Sequence, residues 1–387
     1  MSADRAFPEP RIALVAGEPS GDQLAAHLMA ALKQKLPRIS FVGIGGAGMR
    51  AQGMDIWWPQ EKLAVMGYVE VLRRYREISS VRRALKARLL AERPDLFIGV
   101  DAPDFNLDLE IALRKKGVRT MHYVSPSIWA WRGGRIRKMA KAADRVLALF
   151  PMEAPIYKRA GIPVTYVGHP LADQIPPVTS KAAMRDHLGL PREKTIYALL
   201  PGSRQSEVAN LSDVFIAAAQ RIHAQAPETL FLVPLVTREN RLEFETALYR
   251  QNAAKLPLRF LFGHAREAMG AADAVLAASG TATLEAALVK RPMVIAYKLA
   301  PLTYWFMRRR AYLPYVGLPN ILAGRFIVPE FLQDEATPEK LAAALLKEAA
   351  PERADELETE FTRIHDVLRQ NTAEKAAAAV MDLLATK

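Results

Sequence analysis

AVLAASGTATLE, residues 274–285, sets a run of small apolar residues directly before a Ser-Gly-Thr turn and the opening of an Ala/Leu-rich helix. A buried strand that passes through a glycine turn into a helix is the repeating unit of a parallel α/β sheet. The bare amides at such a helix N-terminus suit a phosphate group. Upstream, TIYALLPGSRQSE, residues 195–207, repeats the pattern: a strand, a Pro201-Gly202-Ser203 turn, then Arg204 and Glu207 at the start of another helix. Two such turns in one half of the chain predict a phosphate-bearing ligand clamped between them.

Strand and helix patterns alternate along the rest of the chain. RIALVAG (11–17), SFVGI (40–44), DLFIGV (95–100), RTMHYV (119–124), RVLALF (145–150) and PVTYVG (163–168) read as strands in the first half. TLFLVPLV (229–236), LRFLF (258–262) and PMVIAY (292–297) do so in the second, with 195–200 and 274–278. Leu24, Leu28, Leu32 and Leu36 recur at helical spacing, and Pro37 ends that helix. Pro176-Pro177 extends neither a helix nor a central strand, so a linker is expected over 174–194. The expected fold is α/β: two doubly wound Rossmann-like domains, 1–173 and 195–365, facing across a cleft, with a C-terminal helix over 366–387. Ligands bind beyond the carboxyl ends of strands in such sheets.

Composition narrows the function. With 387 residues, half of them hydrophobic, the chain has enough material for two cores. It has no cysteine, which excludes thiolate metal sites and cysteine nucleophiles and fits a reducing, cytoplasmic setting. The start MSADRAFPEP lacks the apolar core of a signal peptide, and no window is apolar enough to span a bilayer. The net charge of +12 calls for an anionic partner. Between Lys62 and Arg88 stand eight basic residues against Glu70 and Glu77, interleaved with the apolar LAVMGYVEVL (63–72). That mixture predicts a membrane-facing patch of Val65, Met66, Val69, Leu72, Arg73 and Arg74, or else a core-facing loop and helix. Nucleic acid is not expected, since no binding motif accompanies the charge. Further basic clusters, Arg132 to Lys141 and Arg308 to Arg310, read as solvated faces.

Several motifs fall at strand ends: GEPSGD (17–22), DAPDFN (101–106), PSIWAW (126–131) and GHP (168–170). Ser20 with Gln23 forms a candidate capping box. GIGGAG (43–48) matches the dinucleotide fingerprint G-x-G-x-x-G, but it follows the second strand and Gly53 soon interrupts its helix. It therefore reads as a tight turn lining the cleft.

Together GEPSGD, GIGG, VMGYVEVL, DAPDFN, YVSPSIWAWRGGR, VGHPL, LLPGSRQSEV, SGTATLE and LPN (318–320), in this order, closely resemble the bacterial lipid-A-disaccharide synthase family from about Arg11 onward. The resemblance implies a GT-B glycosyltransferase of the inverting, metal-independent type with no cofactor. It would join UDP-2,3-diacylglucosamine to 2,3-diacylglucosamine 1-phosphate (lipid X), releasing UDP. Another UDP-sugar enzyme of the same fold, a soluble-acceptor transferase or an epimerase, is the alternative.

Such chemistry needs a base for the acceptor hydroxyl and charge stabilisation for the departing diphosphate. Asp101 matches the family's catalytic aspartate and sits at a strand's carboxyl end. Asp104 beside it reads as an N-cap, and Glu18 is the second candidate, as acceptor-positioning group or as base. Arg204 resembles the family's PGSR arginine, whose planar guanidinium grips phosphate in bidentate fashion. Ser279, Gly280, Thr281 and Thr283 are expected to complete the diphosphate cradle, and Gly202, Ser203 and, in the other domain, Ser20 are further substrate-binding candidates. Glu285 would take ribose hydroxyls, and Asn320 uracil or phosphate. His122 and His169 adjoin strand ends and read as structural histidines. Trp129 and Trp131 line a sugar or acyl site, or pack in the core. No D-x-D motif is present to tie a divalent ion to the diphosphate. One departure from the family pattern is Pro19, where a small residue is expected. In this fold the last helix returns to the first domain, and such a tail can also exchange between protomers of a homodimer.

Acyl-chain substrates stay in a bilayer, so a cytoplasmic enzyme peripherally attached to the inner membrane is expected. Changing Val65, Met66, Val69 and Leu72 together to serine should reduce co-flotation with anionic liposomes while leaving the circular dichroism spectrum unchanged; undiminished flotation would refute the patch.

Overall fold

The computed structural model describes residues 9–63, 68–129, 133–299, 304 and 312–386, with backbone alone at 68–75. Two compact units emerge, one of residues 1–173 with 368–387, the other of residues 174–367. The first holds β1 (Arg11–Ala16), β2 (Ser40–Gly45), β3 (Asp55–Pro59), β4 (Leu96–Val100), β5 (Thr120–Tyr123), β6 (Arg145–Ala148) and β7 (Val164–Tyr166). They form one sheet in the order β3-β2-β1-β4-β5-β6-β7. The second holds β8 (Ile196–Leu200), β9 (Leu230–Leu235), β10 (Leu258–Phe262), β11 (Ala274–Ala278), β12 (Met293–Tyr297) and β13 (Glu330–Leu332) in the order β10-β9-β8-β11-β12-β13. The recorded pairings are all parallel, as expected of the doubly wound class.

Central strands β4, β8 and β11 are buried at every position, because helices cover both faces of a parallel sheet. Their near-continuous apolar runs are legible for that reason. β3 and β13 are not among the strands expected from the sequence: each is a short, half-buried edge strand of three to five residues. In both sheets the strand order reverses in the middle, between β1 and β4 and between β8 and β11. Loops leaving neighbouring strands there run to opposite faces and open a crevice at the carboxyl edge.

Residues 174–194, expected as a linker, carry the helix Lys181–His187. Met184, Leu188 and Leu190 pack with Ala268 and Ala271 inside the second unit, which turns most of that segment into structure. The tail helix Thr372–Ala385 lies on the helix Pro19–Lys35 and buries Ala376, Ala377 and Val380 in the first core. Asp173 accepts hydrogen bonds from the amides of Asn371 and Thr372 at 2.9 and 2.7 Å, a carboxylate at that helix's N-terminus.

The Ser20–Gln23 capping box is not formed. Pro19, with φ preset for a first helical position, starts the helix; Glu18 is its N-cap and makes no side-chain capping bond. The carboxylate that matters locally is Asp22, which accepts the amides of Gly46, Gly48 and Met49 at 2.7, 2.8 and 3.1 Å. This ties the first helix to the loop after β2, and it fills the loop that resembled a dinucleotide site. A phosphate would meet a carboxylate already in place.

Three charge-assisted bonds to one buried carboxylate predict a loss of about 3 kcal/mol for Asp22→Ala. A urea midpoint within error of the parent would contradict that tie.

Candidate functional site

Asp101 and Glu18 follow β4 and β1, the two strands that flank the crevice of the first sheet. At the end of β4 the backbone takes two successive left-handed residues, Asp101 at φ 51° and Ala102 at φ 42°. On the neighbouring strand end Val124 stands at φ 81°, a genuine outlier for a β-branched residue. Such strain clusters where a side chain must be aimed. It is held by the Asp101 amide donating to the Tyr123 carbonyl at 2.8 Å, and by the buried Asn106 Nδ2 donating to the Asp101 carbonyl at 2.9 Å. Burial pushes the Asp101 carboxyl above its ordinary value, against the pull of the His122 charge and a backbone bond.

Asp104 is not the N-cap. Ala102 takes that place for the helix Pro103–Arg114, because Pro103 fixes the first helical position. Asp104 becomes an exposed first-turn acid paired with Arg135.

The next strand ends carry an aromatic wall. The Trp129 indole donates to Glu153 at 3.1 Å, and Phe150 meets Trp129 edge-on and His169 at 5.4 Å between ring centres. Glu153 also accepts the Leu149 and Phe150 amides. Sequence reading missed Glu153, whose only local cue is an acid in the first turn of a helix after β6. Burial lowers the His169 imidazole to about 4, which leaves it neutral at physiological pH and so unable to serve as a cation. His122 is fully buried against Glu110. Trp131 lies outside the described residues, as do Arg132, Arg308 to Arg310, Val65 and Met66, together with the side chains of Val69, Leu72, Arg73 and Arg74.

In the second unit the two expected turns follow β8 and β11, the strands flanking the other crevice. Gly202 has φ 126°, and a Cβ there would lie 2.5 Å from that of Glu207. The closeness lets Glu207 accept the Ser203 and Arg204 amides at 3.1 and 3.2 Å. Those two amides are therefore withdrawn from the expected phosphate clamp. The Arg204 guanidinium touches Glu207 at 3.2 Å yet leaves the side chain 66% exposed, free to turn to an anion. Tyr297, at the end of β12, lies in the field of both, its hydroxyl raised by burial and by Glu207 and lowered by Arg204.

At the other turn the Ser279 hydroxyl donates to the Val316 carbonyl and the Thr283 hydroxyl to the Gly280 carbonyl. These two expected phosphate ligands are thus spent on the fold. Gly280 and Thr281 are exposed at the N-terminus of the helix Thr281–Leu288. Glu285, raised by burial, sits 3.9 Å from Arg266, a cation the sequence did not single out. Asn320 must be corrected outright: it is wholly buried, donates to Val328 and Glu330, and accepts from the Ile327 and Val328 amides. Every hydrogen-bonding position of its amide is occupied, so it shapes the 316–330 loop rather than holding uracil.

The chain matches, over residues 12–381, the family described as Lipid-A-disaccharide synthetase. The chain belongs to this family. The lipid-A-disaccharide synthase of Dechloromonas aromatica (strain RCB) is 63% identical over 376 residues, 97% of this chain and 98% of that protein. That of Azoarcus sp. (strain BH72) is 56% identical over 378 residues, 97% of each. Membership makes the chain a glycosyltransferase, and a hexosyltransferase within that class. Among solved structures, the glycotransferase of kitacinnamycin gives a TM-score of 0.62 at 14% identity, over 97% of this chain and 100% of that one. CalG4, the calicheamicin glycosyltransferase, gives 0.61 at 13%, over 98% and 99%. The UDP-GlcNAc 2-epimerase from Neisseria meningitidis, bound to UDP-GlcNAc, gives 0.62 at 12%, over 98% and 100%. These likenesses establish the fold, that of GT-B enzymes.

Burial pushes the Glu153 carboxyl from 4.5 up to about 7, against its bonds to Phe150, Trp129, Leu149 and Ser125. Folded, the group keeps its proton until pH is near 7; unfolded, it releases it near 4.5, so rising pH favours unfolding across that window. The first unit should lose about 3 kcal/mol between those limits through this group. Glu153→Gln should remove that part of the slope from urea midpoints measured against pH, and superimposable curves would count against it.

Proposed function

We propose that this transferase moves the 2,3-diacylglucosaminyl group of UDP-2,3-diacylglucosamine to the hydroxyl of 2,3-diacylglucosamine 1-phosphate, lipid X, with inversion, giving the lipid A disaccharide 1-phosphate and UDP. The observation that carries the mechanism is Asp101, a carboxylate aimed by strained backbone and given raised proton affinity by burial. As the acceptor oxygen bonds to the anomeric carbon, its proton passes to Asp101. The bond from that carbon to the β-phosphate oxygen breaks, and the electron pair leaves with UDP. Arg204 and the N-terminal amides of the helix Thr281–Leu288 neutralise the diphosphate. Glu285 takes the ribose hydroxyls, and Glu18, the exposed N-cap beyond β1, positions the acceptor.

The substrates' acyl chains hold them in the bilayer, and the enzyme docks on its cytoplasmic face. No helix among the described residues is long and apolar enough to cross a membrane. The helix Tyr68–Glu92 turns Val81, Leu85 and Leu89 inward and leaves Arg83 and Lys86 exposed, a cationic face of the kind that attracts anionic headgroups.

Purified enzyme given both acylated sugars in detergent should release UDP and form the disaccharide. Asp101→Asn should lower kcat about a thousandfold with UDP affinity unchanged, whereas Arg204→Ala should weaken UDP binding. If Glu18→Gln abolished turnover and Asp101→Asn did not, the base would be Glu18.

A further inference from the structure

Beneath Asp101 lies a buried acid–imidazole pair that the reaction as described leaves idle. Glu110, on the helix Pro103–Arg114, and His122, on β5, are both 0% exposed, and Glu110 Oε1 meets His122 Nδ1 at 2.7 Å. Glu110 reaches across β4 to do so. Gly99 of β4 pairs with His122 in register, and a Cβ on Gly99 would stand 2.2 Å from Glu110 Oε1 and 2.9 Å from the Asn106 Cβ. Any larger residue at 99 would break the contact. The second oxygen of Glu110 and the second ring nitrogen of His122 are buried without a hydrogen-bond partner. Orphaned polar atoms at such depth are costly for a fold that gains nothing else from them. The Asp101 amide donates to the carbonyl of Tyr123, the residue after His122 on β5, and Asn106, which lies against Gly99, donates to the Asp101 carbonyl; the His122 charge acts on both carboxylates, lowering each against the burial that raises them.

We propose that the Glu110–His122 pair positions the Asp101 base: Glu110 holds His122 as an imidazolium under the end of β4, and this cation keeps Asp101 ionised and oriented in its dry pocket until the acceptor proton arrives. The inference rests on the assignment of Asp101 as base. The other groups facing the pair are Lys138, which acts on Glu110 and is itself bridged to Asp108 at 2.6 Å, and Tyr157, which is engaged with Ser125 at 2.8 Å. His122 is the charge that draws the Asp101 carboxyl down.

The test is the pH profile of kcat/KM in the full-length enzyme. His122→Asn keeps a donor for Glu110 but no cation, so Asp101 should hold its proton to higher pH. The acidic limb should move up by about one unit or more, a loss of about tenfold on that limb that alkaline pH restores. Glu110→Gln should move the limb the same way. A loss equal at all pH values, with the limb in place, would reduce the pair to packing and overturn the proposal while the Asp101 assignment stands. Turnover surviving in Asp101→Asn would instead remove the assignment and the proposal together. If His122→Asn does not fold, nitrogen shifts of labelled histidine in the unaltered enzyme decide: His122 charged at pH 7 supports the pair, and a neutral ring overturns it.

Discussion

Strand β4 ends in two left-handed residues where an L side chain costs roughly 1–3 kcal/mol each, and the placing of the Asp101 carboxylate at the carboxyl edge of the first sheet depends on that strain being held. The restraint is supplied from three directions. The β5 carbonyl of Tyr123 takes the Asp101 amide, Asn106 from the following helix takes the Asp101 carbonyl, and Pro103 starts that helix without needing a donor. Asn106 also reaches the Val15 carbonyl of β1 at 3.4 Å. The two strands that flank the crevice are thereby linked at the point where their loops part.

A second device recurs across both units. Asp22 takes the amides of the loop after β2, Glu207 those after β8, and Glu330 those of Val316 and Gly317. Each is a backbone concavity that would bind a phosphate were it not already occupied by the chain's own carboxylate. Among the described residues no such internal anion is recorded on the amides of Ser279 to Thr281. That contrast supports the proposed placing of the diphosphate at the turn after β11, with Arg204, rather than its loop's amides, as the proposed contribution of the turn after β8.

These occupied turns explain where motif reading overreached. A glycine turn followed by a helix is visible as a pattern of residues along the chain, but whether its amides are vacant depends on carboxylates that can be close in sequence, as with Glu207, or distant, as with Asp22. The same holds for Asn320, whose LPN context resembles a ligand site although its amide is saturated by residues 327–330. It holds for Glu110 and His122 as well, which are separated along the chain and meet only because Gly99 lets a helix carboxylate pass over β4.

By itself the sequence determined the fold class, the run of the buried strands and the family. All of these follow from local periodicity and from ordered motifs, which the chain carries whatever its path in space. Tertiary structure alone decided which polar groups remain free. A hydrogen bond uses up donor and acceptor together, and only the packed chain reveals that Ser279, Thr283 and Asn320 have spent theirs while the Arg204 guanidinium stays exposed. It also decided the proton affinity of Asp101, because desolvation is a property of the surroundings and not of the residue.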